Sequence, residues 1–393
     1  MVNNDAGDDK LKLPRQPRPC RIGVEVTAML DPVRTGLGHA TRMLISAFAE
    51  AERELWLYWR HRPGLDLPKA SATMHPRAVK IPVGYMTAGV PARLVLDRIE
   101  VCHFPEGEIP AFCPVRSIVT GYDLTWHVFA HVFEPARGAQ LRDIFEPGLL
   151  KADHIIAISQ NTRNDIMEVY GIAADRISVV PLAVDPDMHR ASDDEIAAVR
   201  GRYGLERPYL LHTGTFLEHK NVEWLLRCYS RAFADQPDRP QLILAGPPLP
   251  RADEIVAVAR SLEAAEDIRY LGYVPREDLP ALMTAALAYV FPSLYEGFGL
   301  PPLEAMACGT PVISSMAGAL SETIGDAAIV IDPTDDDMMI AALSRVIDDE
   351  GLRRDLVTRG YERVKLSTWA RTAELTWAVY ERVLGRSCAG NSP

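Results

Sequence analysis

No apolar run in this chain approaches the roughly 18 residues that a membrane span needs, so nothing in it reads as a transmembrane helix. The opening stretch, MVNNDAGDDKLKLPRQPRP, also lacks the apolar core of a secretory leader, and residues 1–20 read as a disordered tail. The six cysteines, Cys20, Cys102, Cys113, Cys228, Cys308 and Cys388, include no C-x-x-C pair, which argues against a zinc or disulfide framework and for reduced thiols in a cytoplasmic protein. Basic residues are in deficit, 42 Lys and Arg against 53 Asp and Glu, so there is no basic face for a nucleic acid. That deficit is uneven: up to Arg190 there are 22 basic and 23 acidic residues, beyond it 20 and 30. The N-terminal half is the one able to approach an anionic membrane surface without much repulsion.

What the chain does have is alternation. Of its 393 residues 48% are apolar and 24% charged, the balance of a globular protein of roughly two or three domains. Short β-branched or aromatic runs alternate with amphipathic stretches: RIGVEV, a helix over 38–51, LWLYW, RSIVT, HIIAIS, a helix from Asn161 to Tyr170, and ISVVP. After a polar stretch near Asp185 to Glu195 the alternation restarts with PYLLHTG, a helix from Asn221, QLILAG, a helix from about Asp253, IRYLGYV, LAYVFPS, PVISS and AAIVID. Such a pattern implies an α/β chain of two doubly wound, parallel, Rossmann-like units. Ligands of these sheets bind beyond the carboxyl ends of the strands, so facing units put the site in the cleft between them.

The segment SLYEGFGLPPLEAMACGTPVISS is the richest in chemistry. Glu296 precedes a loop of Gly297, Phe298, Gly299 and Leu300. Pro301 and Pro302 then start a helix, since a first turn does not need the missing N–H, and Gly309 and Pro311 end it. The predicted helix runs from about Pro302 to Cys308 with Glu304 in its first turn. N–H groups of a glycine loop and a helix start form a ready phosphate site, and a carboxylate beside them can accept two hydrogen bonds from a vicinal diol such as ribose. The plainer alternative is that Glu304 complements the helix dipole, worth about 0.3–1 kcal/mol, and that Glu296 is a solvated loop residue.

This string resembles the signature of the retaining glycosyltransferases of family 4, two glutamates separated by seven residues ahead of an A-x-G-x-P-V strand. The likeness runs from about Ile22 to Glu381 and is strongest from His212 to Ile331. It implies the GT-B fold, two Rossmann-like domains facing across a cleft, and transfer of a hexose with retention, without metal or cofactor. It divides the chain into a tail (1–20), an acceptor-side domain (21–190), a nucleotide-sugar domain (191–368) and a final segment (369–393) whose helix, about Trp369 to Leu384, crosses back onto the first domain.

On that likeness Glu304 binds the donor ribose, while Glu296, Gly297, Phe298, Gly299 and Leu300 bind the transferred sugar and the diphosphate. Lys220 in HTGTFLEHKN matches the family's G-T-x-x-x-x-K-N pattern and meets the diphosphate as a point charge. Thr215 and His219 stand where many members carry a further arginine. Gly36 and Gly38 in VRTGLGHATR form a loop after the first strand, permitting close backbone approach over the donor. Backbone groups near Tyr273 and Val274 read the base. Tyr122, followed by Asp123, takes the place of a sugar-touching histidine; tyrosine can bond a sugar hydroxyl but does not titrate near neutrality. The candidate catalytic residues are therefore Glu296, Lys220, Tyr122 and Asp123.

Other motifs read as structural. His127 and His131, four apart, are rim or core residues rather than a metal pair. Asp185-Pro186-Asp187 and Asp335-Asp336-Asp337 are turn and N-cap acids. VPARLVLDRIE, with Arg93 and Arg98 beside Val90, Leu94, Val95 and Ile99, reads first as a half-buried helix and second as a peripheral membrane contact. The HTGT…HKN variant is similar to bacterial mannosyl- or related hexosyltransferases of surface polysaccharide assembly. That implies GDP-mannose as donor, a UDP-hexose as the second choice, and a saccharide or lipid-linked saccharide acceptor at the inner face of the cell membrane. Two other classes stay open: a non-catalytic sugar-nucleotide-binding partner in a polysaccharide complex, and another GT-B enzyme such as a sugar-nucleotide epimerase.

Overall fold

A computed structural model of the protein describes residues 19–30, 36–62, 72–81, 83–132, 135–234, 236 and 238–388. Seven strands, β1 (Ile22–Glu25), β2 (Leu55–Arg60), β3 (Met74–Val79), β4 (Val101–Phe104), β5 (Arg116–Gly121), β6 (His154–Ala157) and β7 (Ile177–Val179), form a parallel sheet in the order β3-β2-β1-β4-β5-β6-β7. Six more, β8 (Tyr209–Thr213), β9 (Gln241–Ala245), β10 (Ile268–Tyr270), β11 (Ala288–Phe291), β12 (Val312–Ser315) and β13 (Ile329–Ile331), form a second parallel sheet in the order β10-β9-β8-β11-β12-β13. These are two Rossmann-like, doubly wound units. In each the order reverses at a switch point, β1/β4 and β8/β11, where a crevice opens beyond the strand ends. Every residue of β8, β9, β11 and β12 is buried, as parallel strands covered on both faces must be.

The alternation in the sequence locates all of these strands except β3 and β4. The first carries Pro76 and is half-buried at the sheet edge, where a missing N–H is tolerated. The second is the run VCHF, whose buried His103 interrupts the apolar pattern. The first helix, Gly36–Glu50, starts earlier than its apolar pattern, so Gly36 and Gly38 lie in its first turn and not in a loop. The helix Val90–Leu96 buries Val90 and Leu94 but leaves Val95 60% and Leu96 72% exposed, with Arg93 paired to Asp97 at 2.9 Å. Among the described residues no helix is long and apolar enough to cross a membrane.

The last helix, Trp369–Leu384, lies against Gly36–Glu50 of the first unit. Its Trp377 and Tyr380 rings sit 5.9 Å from Phe48, and Arg53 stacks over Trp377 at 4.5 Å. Buried side chains of this size contribute about 1.5–3 kcal/mol each. The Tyr380 hydroxyl also bonds His103 Nδ1 at 2.8 Å, and His103 Nε2 bonds the Thr120 hydroxyl at 2.8 Å. Beyond that helix, Cys388 forms a disulfide with Cys20. This corrects two expectations: these two cysteines are not reduced thiols, and Cys20, the last residue of the expected tail, is buried. Residues 1–18 of that tail lie outside the described residues. A separation of 368 residues leaves no local spacing to reveal such a pair, because only the returning helix brings its ends together.

Buried histidines make stability pH-dependent. Burial pushes His103 down to about 3 and His212 and His219 down to about 4. The unfolded chain takes up these protons near pH 6.5 and the native one does not, so stability is retained above that pH and falls as acid approaches the folded values. Urea unfolding is expected to show a loss of roughly 1–2 kcal/mol per histidine between pH 7 and pH 5. A flat midpoint over that range would contradict these assignments.

Candidate active site

The second switch point builds the site. After β8 the chain turns through Glu218–Lys220 into Asn221, whose left-handed φ of 58° is a conformation asparagine tolerates better than most side chains. The Asn221 amide donates to the Pro333 carbonyl at 2.9 Å, fixing the turn. After neighbouring β11, Ser293–Gly299 loops into the helix Leu300–Ala307, with Gly299 at φ 100° as its N-cap. This helix starts two residues before Pro302, so Glu304 falls beyond the first turn; it is buried, 9% exposed. It ends as expected, with Gly309 at φ 73°, Gly309 N–H on Met306 O at 3.0 Å and Thr310 N–H on Ala305 O at 2.9 Å.

The two strand ends bring together residues 76 apart: Lys220 Nζ lies 2.6 Å from Glu296 Oε1 and 5.5 Å above the Phe291 ring. The Glu296 loop also meets the first unit. The Thr162 hydroxyl lies 3.2 Å from the Tyr122 carbonyl and 3.3 Å from that of Gly297. Tyr295 donates to Asp165 at 2.6 Å, and Glu322 accepts the N–H groups of Gln160 and Asn161 at 2.7 Å each.

Between the units lies a cavity of about 810 Å³ whose lining includes Gly36, Tyr122, Asp123, Thr215, His219 and Lys220. Six of the residues singled out in the sequence therefore share one space. Gly38, Phe298 and Val274 are buried, and Gly297, Gly299 and Leu300 form the bend behind Glu296. Burial, then the Glu106 charge, raises the Tyr122 phenol, which stays a protonated hydrogen-bond donor at neutral pH. His219 is 6% exposed; burial and then the Lys220 charge bring it down to about 4, so the ring is neutral, and its Nδ1 has no hydrogen-bond partner among the described residues. Asp123 Oδ1 accepts the Thr125 N–H at 2.8 Å, holding that loop.

Glu304 sits in a network that sequence reasoning missed. Arg276 Nη2 lies 3.0 Å from Glu304 Oε1 and 3.0 Å from Asp185 Oδ2, and His39 Nε2 lies 2.7 Å from the same Asp185 oxygen. Burial raises the Glu304 carboxyl, and the Arg276 charge opposes that rise. Asp185 stays below its ordinary value although burial opposes it, through the Asp187 N–H, Arg276 and His39. Asp185 is thus a turn acid, as its Asp-Pro-Asp setting suggests, with Oδ1 on Asp187 N–H at 3.0 Å; its second oxygen joins the two units. Nothing in the sequence pairs it with Arg276, 91 residues away. Asp335 caps the helix Asp336–Asp348 as expected, and His127 and His131 are exposed on the rim.

Two family models match the chain: "Glycosyltransferase Family 4" over residues 36–188 and "Glycosyl transferases group 1" over residues 195–363. The O-antigen chain mannosyltransferase B of Escherichia coli is 34% identical over 267 residues, 68% of this chain and 70% of that protein. The serotype-specific mannosyltransferase WbdA of Escherichia coli is 31% identical over 60% of this chain, a match that covers 30% of that longer protein. In fold the chain is similar to the sucrose-phosphate synthase of Thermosynechococcus elongatus, with a TM-score of 0.73 at 22% identity, covering 93% of this chain and all of that one.

Proposed function

The chain belongs to the glycosyltransferases of group 1 and family 4, with the GT-B fold, and we propose that it is a retaining, metal-independent mannosyltransferase. Its donor is GDP-mannose and its acceptor a saccharide or lipid-linked saccharide of surface polysaccharide synthesis. The observation that carries this reading is the Lys220–Glu296 pair at the cleft, at the foot of the Gly297–Leu300 bend. The mannosyltransferases among its relatives support the choice of sugar.

In the reaction the bond between the anomeric carbon and the diphosphate oxygen breaks, and an acceptor oxygen bonds to that carbon from the same face. The departing phosphate oxygen takes the acceptor proton. Negative charge grows on the diphosphate, where Lys220 and the N–H groups entering the helix Leu300–Ala307 stabilise it by prearranged electrostatics. Neither Tyr122, held protonated, nor His219, neutral and of low basicity, is a base at neutral pH, which fits a proton passing to the leaving group. Glu304 accepts the ribose hydroxyls, and Arg276, 3.0 Å away, favours its ionised form against the rise that burial causes and aims it.

Thermal shift against GDP-mannose, GDP, UDP-glucose and UDP, with and without a chelator, tests the donor. A rise in melting temperature with the guanine nucleotides alone, unchanged by chelator, is expected from selective binding to the native state. A rise with the uridine nucleotides alone would overturn the choice of donor. Arg276→Ala is expected to weaken GDP binding by about 10-fold or more, the range of a charged hydrogen bond. Binding needs the ionised Glu304, whose raised carboxyl would rise further without Arg276, so affinity in the variant fails at a higher pH as acid is added. Calorimetry between pH 5 and pH 8 would show that movement; superimposable curves would remove Arg276 from the site.

A further inference from the structure

His39 and Asp185 take no part in the chemistry, yet both are joined to Glu304 through one side chain. His39 lies in the first turn of the helix Gly36–Glu50, and Asp185 in the segment leading from β7 to the second unit. The side chain between them and Glu304 is Arg276, in the turn Arg276–Asp278 that follows β10. That turn is fixed by Asp278, whose Oδ2 accepts the Tyr203 hydroxyl at 2.7 Å and which also pairs with Arg202. Fixing the turn does not fix the guanidinium, since a long side chain has much rotamer freedom to lose before it can hold a carboxylate. Asp185 supplies the restraint. Its Oδ2 lies 3.2 Å from Arg276 Nε and 3.0 Å from Nη2, the same nitrogen that lies 3.0 Å from Glu304 Oε1. Asp185 is itself held at both oxygens, Oδ1 by the Asp187 N–H at 3.0 Å and Oδ2 by His39 Nε2 at 2.7 Å. At that distance from a carboxylate oxygen the ring nitrogen carries its proton. The Asp185 side chain is only 4% exposed, so water is a poor substitute for either partner. His39, Asp185, Arg276 and Glu304 therefore form a chain from the first unit to the ribose-binding group with no step longer than 3.0 Å.

We propose that His39 and Asp185 are positioning residues for the donor ribose, so that a helix of the first unit sets how well the second unit binds a nucleotide. This rests on the reading of Glu304 as the ribose acceptor. Charge alone would act in the opposite sense: the Asp185 carboxylate raises the Glu304 carboxyl, so its removal would favour the ionised form and strengthen ribose binding. The test is calorimetry on the full chain with GDP and with UDP, each against its 2′,3′-dideoxy analogue. The wild type is expected to prefer the ribose form by about 10-fold or more, the range of hydrogen bonds to a charged group. Asp185→Asn and His39→Ala should each cut that preference by about 3-fold or more, as residues coupled in one network do, with little change in affinity for the dideoxy form. His39→Gln, which keeps a donor, should recover part of the preference. Asparagine can still accept the Asp187 N–H and alanine suits a helix, so both variants keep the local fold. Equal loss for both forms of the nucleotide would make the pair merely structural, and an unchanged or greater preference in Asp185→Asn would leave only its charge; either overturns the proposal. A wild type that binds a nucleotide without preferring the ribose form overturns the ribose role of Glu304 and this proposal with it, and leaves the glycosyltransferase reading standing. Failure of both GDP and UDP to bind removes that reading too.

Discussion

Lys220→Ala is expected to lower kcat by about 100- to 1000-fold, the loss typical of removing one charge-stabilising donor from a transition state. The charge it would stabilise exists on the leaving diphosphate only as the glycosidic bond breaks, so the effect falls on kcat more than on the donor KM. A second consequence separates chemistry from folding. Lys220 and Glu296 have side chains only 18% and 12% exposed, so the alanine strands a carboxylate with little access to water. Lys220→Ala/Glu296→Gln should therefore regain melting temperature over the single variant and regain no activity. Recovery of turnover together with stability would mean that the pair is merely structural.

Gly297→Ala is expected to reduce kcat/KM by about 100-fold, the scale of a misplacement of about an ångström at a reacting centre. A methyl group there would lie 2.7 Å from Asp123 Cβ and nearer still to the Tyr122 carbonyl oxygen. Its neighbour across the cleft is backbone, which cannot swing away, so the loops carrying Glu296 and Tyr122 must part. Gly297 has no left-handed φ, so the demand is one of space alone. Because the strain sits at the meeting of the two units and outside either core, the melting temperature should change far less than the rate. Kinetics equal to wild type would show that the loops do not meet in the working enzyme.

These two residues mark how far the sequence could be read. Lys220, Glu296, Tyr122 and Asp123 were legible chiefly through the likeness to family 4, with which the parallel sheet rule agrees by placing strand ends at the site. Gly297 stood out as part of a glycine loop, yet its reason, the Tyr122 carbonyl, belongs to a contact 175 residues away that no periodicity encodes. The same holds for His39, Asp185 and Arg276, which come from three separate segments and meet only when the units face each other. Gly36 and Gly38 show a smaller error. Glycine lowers helix propensity, so the pattern suggested a loop where packing made a first helical turn. Cys20 and Cys388 are the extreme case, a covalent pair between the two ends of the described chain.

The measurement that tests the account most directly is proton NMR of the purified protein turning over GDP-mannose with methyl α-mannoside as acceptor. The account predicts release of GDP together with a new anomeric signal of α configuration, unaffected by chelator and absent with Lys220→Ala. A new glycoside of β configuration, or conversion of the nucleotide sugar without release of GDP, would contradict it.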